Sequence, residues 1–348
     1  MRLSAKPSAT PSTRSSRMRL SSEQLRIVLA LLAVYLIWGS TYLAIGFAVK
    51  TLPPFLMAGA RFLVAGIILY VWMRLRGTPR PSRANWLAAL VVGGLLLVGG
   101  NGGVVWAEQF VPSSQVALLI SITPIWMVLL DWLRPHGVRP SLPTLLGLAV
   151  GFVGVALLIG PNALADAHSV SLFGLLIVPL AALSWAAGSV YSRGARMPAS
   201  PFMGTALEML VGGALLLGAG VASGEPGRLH LASVSLTSAL ALLYLILFGS
   251  LVGFTAYVWL LRKAPLAQVS TYAYVNPAVA VVLGVVFDGE RLTTLTLVAA
   301  AIIIGAVVVI TTFRPHPTST VETQTETQPT PAQGDVAPEL ASSAGASK

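Results

Sequence analysis

The feature that most constrains this chain is a succession of apolar stretches, each roughly 20 residues long, divided by short segments that hold nearly all of its Lys and Arg. At 1.5 Å rise per residue, a helix of about 20 residues crosses the roughly 30 Å hydrocarbon core of a bilayer. Within hydrocarbon each backbone N–H and C=O must be satisfied inside the protein, and a single apolar stretch achieves this as an α-helix. The fold class is therefore all-α integral membrane. Composition agrees, with 55% hydrophobic and 10% charged residues where a soluble domain carries about a quarter charged. Ten transmembrane helices are predicted, at 26–49, 54–73, 86–107, 113–133, 142–160, 172–192, 202–221, 235–260, 266–287 and 293–312. The first has the basic flank of a signal peptide, but its apolar run is too long and no small-x-small cleavage site follows, so it reads as a permanent span.

Residues 1–24 are rich in Ser, Arg and Pro, and residues 313–348 in Thr, Pro, Glu, Ala and Ser. Neither tail can bury enough apolar surface to fold, and both are expected to be disordered. The net charge of +10 is explained by topology, because no aromatic-basic stripe or nucleic-acid motif accompanies it. Basic residues cluster before helix 1 and after helices 2, 4, 6 and 8, as in Arg74, Arg76, Arg80 and Arg83, while the alternate loops hold Lys50, Arg228 and Arg291. Loops rich in Lys and Arg stay in the cytoplasm, so both termini are expected there.

An internal repeat underlies this pattern. At an offset of 147 residues PFLMAGARFLVAGIIL (54–69) lies on PFMGTALEMLVGGALL (201–216), and Leu36 and Trp38 lie on Leu183 and Trp185. At an offset of 153, Trp106 lies on Trp259 and PSSQVALLISITP (112–124) on PLAQVSTYAYVNP (265–277). The change of offset falls in loops, so the chain reads as one five-helix unit used twice, over 25–161 and 162–312. Five is odd, so the two units must cross the membrane in opposite senses. Such inverted repeats are a transporter design, with substrate near the midplane between them.

Two charges stand well inside predicted spans, and the repeat makes them equivalent: Arg61 in helix 2 and Glu208 in helix 7. A charge at membrane depth costs at least about 2.5 to 3.5 kcal/mol, so it is paired, faces a cavity or serves function. Both a structural ion pair locking the halves and a contact to substrate or proton fit the sequence. Helix 9 carries Gln268, Tyr272 and Asn276 at four-residue spacing, hence along one face, and helix 4 carries Gln115, Leu119 and Thr123 at the matching positions. Buried amides need partners, which either substrate or a neighbouring helix supplies. Pro124 and Pro277 follow these faces, each removing a backbone donor and marking a hinge or simply a bend. Trp38 and Trp185, with Tyr42 one turn on from Trp38, lie mid-span as candidates for a cavity wall, whereas Trp106 and Trp259 suit an interfacial belt. Asn101 sits in the glycine-rich run VVGGLLLVGGNGGVV (91–105), where close packing is the plainer purpose.

No G-x-x-x-x-G-K-[ST], H-E-x-x-H or G-x-S-x-G motif is present, all four His lie in loops or tails, and Cys is absent. No enzyme activity, cofactor or metal is expected, and a gradient, with protons as the coupling ion, would drive uphill transport. The segments IWGSTYLAI (37–45), GARFLVAG (59–66), LSWAAGSVYSR (183–193), VSTYAYVNPAVAVVLG (269–284) and GERLT (289–293) are similar to those of the drug/metabolite transporter superfamily, specifically its EamA-type exporters. That resemblance covers about 30–312 and implies a ten-helix bacterial inner-membrane permease that exports amino acids, metabolites or toxic compounds by alternating access. It does not distinguish among substrates. A lipid flippase and a non-transporting membrane sensor remain the alternatives, and the oligomeric state is not legible.

Overall fold

The computed structural model describes residues 21–109, 116, 119–135, 137, 139–165, 172–288 and 294–313. Gln115, the GERLT segment and nearly all of both expected tails lie outside the described residues. Within them the chain is helical, without strands. The helices are α1 (Ser22–Ala48), α2 (Pro54–Leu75), α3 (Arg83–Ala107), α4 (Thr123–Leu133), α5 (Leu142–Ala165), α6 (Leu172–Gly194), α7 (Pro201–Ala222), α8 (Leu236–Lys263), α9 (Tyr272–Asp288) and α10 (Thr294–Thr312). Five of them, α1, α2, α3, α7 and α8, are long and apolar enough to cross a membrane. Shorter apolar helical stretches occupy Thr123–Leu133, Leu142–Leu157 and Leu297–Ile310.

Local chemistry sets several boundaries. Helix α1 starts earlier than its apolar pattern suggests, inside the expected N-terminal tail. Ser21 and Gln24 form a capping box in which the Ser21 Oγ accepts from the Gln24 N–H and the Gln24 Oε1 accepts from the Ser21 N–H. Ser82 and Asn85 open α3 in the same way. At the start of α2 the cap comes from far along the chain. The buried carboxylate of Glu225 accepts from the N–H groups of Phe55 and Leu56, at 3.2 and 2.8 Å, placing negative charge at the helix N-terminus.

The helices expose the large apolar side chains that a bilayer would cover, among them Leu29, Leu36, Leu87, Leu180 and Ile304. They meet one another through small residues. Helices α2 and α7 pack most extensively, and a Cβ added at Gly213 would come within 2.6 Å of the Leu63 backbone nitrogen, so the two backbones approach where side chains are missing. Helices α5 and α10 pack likewise, with Gly147 against Ile310 and Gly154 against Ile303.

Two departures from regular α-helix bear on function. The middle of α3 (Gly94–Gly102) and of α8 (Leu245–Phe254) is π-helical, a form that widens the helix and frequently accompanies functional sites. The expected ninth span is also interrupted: a single turn, Leu266–Val269, precedes α9, with a turn at Ser270 and Thr271 between them. The Thr271 hydroxyl donates to the Gln268 carbonyl at 2.7 Å, closing that turn.

Candidate functional site

A cavity of about 80 Å³ opens between α1, α2, α3, α4, α6, α8 and α9. Helix α1 contributes Trp38, Thr41 and Tyr42, which share a face by their spacing of three and four. From α2 comes Arg61, 4% exposed, whose Nε donates to the Ser250 hydroxyl at 2.8 Å. Its guanidinium lies along the π segment of α8, where a Cβ at Gly249 would stand 2.8 Å from Nη2. The Gly249 carbonyl accepts from Trp38 Nε1 at 3.2 Å. That one segment thus positions both the charge and an aromatic wall.

The wall itself joins repeat-equivalent residues. Trp38 and Trp185 meet edge to face with centroids 5.5 Å apart, a favoured aromatic geometry. Tyr257 packs on both, at 4.9 and 5.3 Å, and Tyr272 stands perpendicular to Trp38 and Tyr257. Trp185 Nε1 donates to the Tyr257 hydroxyl at 2.8 Å, which also pairs with the Ser189 hydroxyl at 2.6 Å. Asn276 is held by its amide nitrogen, which donates to the carbonyls of Tyr35 and Tyr272 at 3.2 and 3.0 Å, and the Tyr42 hydroxyl reaches the same amide. Asn101, in the π segment of α3, and Thr123, at the start of α4, complete the polar lining.

A sequence profile described as the EamA-like transporter family matches residues 25–160 and again residues 172–312. The chain belongs to the EamA-like transporter family. This EamA-family chain is 39% identical over 283 residues to the uncharacterized inner membrane transporter YedA of Escherichia coli (strain K12), an alignment covering 81% of this chain and 89% of YedA. It is 24% identical to the uncharacterized transporter YvbV of Bacillus subtilis (strain 168), over 82% of this chain and 92% of that one. A solved crystal structure of a protein shares the fold with a TM-score of 0.67 at 22% identity, covering 84% of this chain and 99% of the other. The EamA-family chain is thus a multi-pass membrane transporter and not an enzyme.

Of the residues singled out in the EamA-family sequence, the cavity gathers Trp38, Tyr42, Arg61, Asn101, Thr123, Trp185, Tyr272 and Asn276. Four others lie elsewhere. Glu208 is buried, its backbone carbonyl lies against Gly93 of α3, and its carboxylate has Arg262 as a charged neighbour. No ion pair joins it to Arg61 among the described residues. The reason is helical phase: α2 turns its glycine face, including Gly59, toward α7, and Arg61, two residues on, points about 200° away from it. Gln268 is buried, with Oε1 unpartnered among the described residues, but does not line the cavity. The turn at Ser270 and Thr271 takes it off the face of Tyr272 and Asn276, against the expectation of one continuous polar face. Pro124 is the second residue of α4, where a missing N–H costs no helical bond, whereas Pro277 lies inside α9.

Tyr257, Ser250 and Glu108 belong to this region or its border and escaped the sequence reading. Gly249 and Gly253, inside the second π segment on either side of Ser250, were the available signal for it. Nothing in the chain set Tyr257 apart from other aromatics. Glu108 lay hidden just past the end of a span, where a carboxylate is ordinary.

Proposed function

We propose that this protein is a secondary active transporter that exports small organic molecules across the inner membrane by alternating access, driven by protons. Its architecture in this reading is ten spans in two inverted repeats, over 25–161 and 162–312, with both termini cytoplasmic and the tails outside the transport core. The observation that carries the reading is the shared cavity, whose wall brings Trp38 of one half against its counterpart Trp185 of the other. A site built across two repeats is exposed to each side in turn when one repeat rocks against the other. The double match of the family profile supports the two-unit division.

The chemistry of the cavity selects among substrates. Arg61 engages Ser250 through Nε, and its Nη groups meet no protein acceptor among the described hydrogen bonds. A guanidinium fork in a low-dielectric cavity favours a carboxylate or similar planar anion. The surrounding Trp and Tyr rings favour an apolar or aromatic body. Small carboxylates with such a side chain are therefore the preferred cargo.

The test is uptake of radiolabelled phenylalanine and leucine, and of ethidium, into energised inverted vesicles, which reads export as accumulation. Phenylalanine is expected to accumulate with a proton gradient. Arg61→Ala is expected to reduce this by about tenfold or more, since a charge-assisted hydrogen bond contributes about 1.5 to 3 kcal/mol. Accumulation of ethidium alone would overturn the carboxylate assignment. Movement of a labelled lipid in place of any solute would favour a flippase.

A further inference from the structure

The cavity is bordered by an acid that the transport reading leaves without a role. Glu108 follows α3 directly, its N–H bonded to the Val104 carbonyl at 3.0 Å. Asn101, Val104 and Glu108 are three and then four residues apart and so share a face, and the first two line the cavity. Glu108 extends that face one turn beyond the cavity, toward the end of α3 that the proposed topology places outside. Both carboxyl oxygens are buried and have no hydrogen-bond partner among the described residues.

Among the described residues no ion pair or hydrogen bond balances a charge there. Around Val104 and Ala107, just before Glu108 in the chain, α6 presents Val178 and Ala181, and Val116 and Ile120 come from the chain before α4, none of them titratable. Helix α2 presents Phe55 to Gly102, and its charge, Arg61, lines the cavity. From α1 comes Tyr42, a titratable group near enough to sense Glu108. An ionised carboxylate in such a pocket would be unsolvated and unpaired, while the neutral acid fits it. Burial accordingly pushes the Glu108 carboxyl up to about 8, so the acid holds its proton at neutral pH and loses it as pH rises through that value.

We propose that Glu108 is the proton-binding gate at the outer end of the cavity: protonated, it seals that end; ionised, it draws in water and opens it. The proposal rests on the transporter reading. The step balances simply. A proton adds to a carboxylate oxygen when the gate faces outer water and returns to water on the side to which the cavity later opens. No other bond changes.

The experiment has two arms. In the first, infrared spectra of the full-length protein in lipid are recorded against pH, which needs no substrate. Wild type is expected to show a carboxylic-acid C=O band at neutral pH that fades on alkalinisation, to lose that component in E108Q and to keep it in E208Q. In the second arm, inverted vesicles carrying E108Q are expected to lose gradient-driven phenylalanine uptake while downhill phenylalanine flux persists. E108D should restore both the band, at a displaced pH, and the coupling, which also guards against a folding defect in E108Q. A band unchanged in E108Q would show that Glu108 is not the protonated acid and would overturn the proposal. A lost band with gradient-driven uptake intact would reduce Glu108 to a structural acid. If wild type moves no phenylalanine although the band titrates as expected, the transporter reading for this cargo fails, and the gating role fails with it.

Discussion

At the scale of single residues, function here depends on where side chains are missing as much as on where they are present. Gly249 leaves room for the Arg61 guanidinium on one side and presents its carbonyl to Trp38 Nε1. A methyl group at this position would meet Arg61 Nη2 at 2.8 Å and the Thr41 methyl at 3.1 Å. Overpacking of this kind costs about 1 to 3 kcal/mol, relieved by moving the flexible Arg61 away from its place. Gly249→Ala is therefore expected to insert and fold, with a modestly lower melting temperature, while phenylalanine uptake falls to near background. Measuring uptake and thermal unfolding on the same preparation separates the two effects. The buried charges teach a related lesson. Arg61 and Glu208 were legible as unusual from the sequence because charge in a span is rare, but which neighbour each one meets depends on helical phase and was not legible.

At the scale of helices, regular secondary structure is interrupted where the cavity lies. The π segments of α3 and α8 fall at related places in the two halves and supply Gly100, Asn101 and Gly249 to the lining. Their glycines admit close neighbours: a Cβ at Gly100 would stand 2.8 Å from the Trp185 ring and one at Gly253 would stand 2.6 Å from Trp38 Nε1. The α2/α7 contact is made the same way but by backbone against backbone. A Cβ at Gly213 would come to 2.6 Å from the Leu63 nitrogen and 3.0 Å from the Gly59 carbonyl oxygen, and neither can swing aside. Gly213→Ala is expected to destabilise the protein by about 1 to 3 kcal/mol, read as a lower unfolding temperature in detergent. Helix positions themselves were largely legible, because an apolar run bounded by Pro, Ser and Arg marks its own ends. Interruptions within a run were not. An α turn and a π turn use the same apolar residues, and only the packing against a neighbour decides between them.

At the scale of the whole molecule, the proposed topology makes an experiment unusually clean, since the chain contains no cysteine. Single cysteines introduced at Arg80 and at Arg228 report opposite sides of the membrane in the proposed arrangement. A membrane-impermeant maleimide added to intact cells is expected to label Arg228→Cys and to spare Arg80→Cys until the membrane is opened. Equal labelling of both in intact cells would overturn the proposed orientation. The sequence alone determined that this chain is a helical membrane protein of the EamA family, because hydrocarbon allows so few solutions for a backbone and because motifs such as IWGSTYLAI are read directly in order along the chain. It also singled out most of the cavity's aromatic and polar side chains as candidates, since a polar or aromatic residue deep in an apolar run is conspicuous by itself. Only the tertiary structure decided that Trp38 meets Trp185, that Arg61 stands apart from Glu208, and that the carboxyl oxygens of Glu108 are buried. Those relations join residues from different helices, and their distances depend on rotation and close approach between helices, quantities that no spacing along one strand of sequence contains.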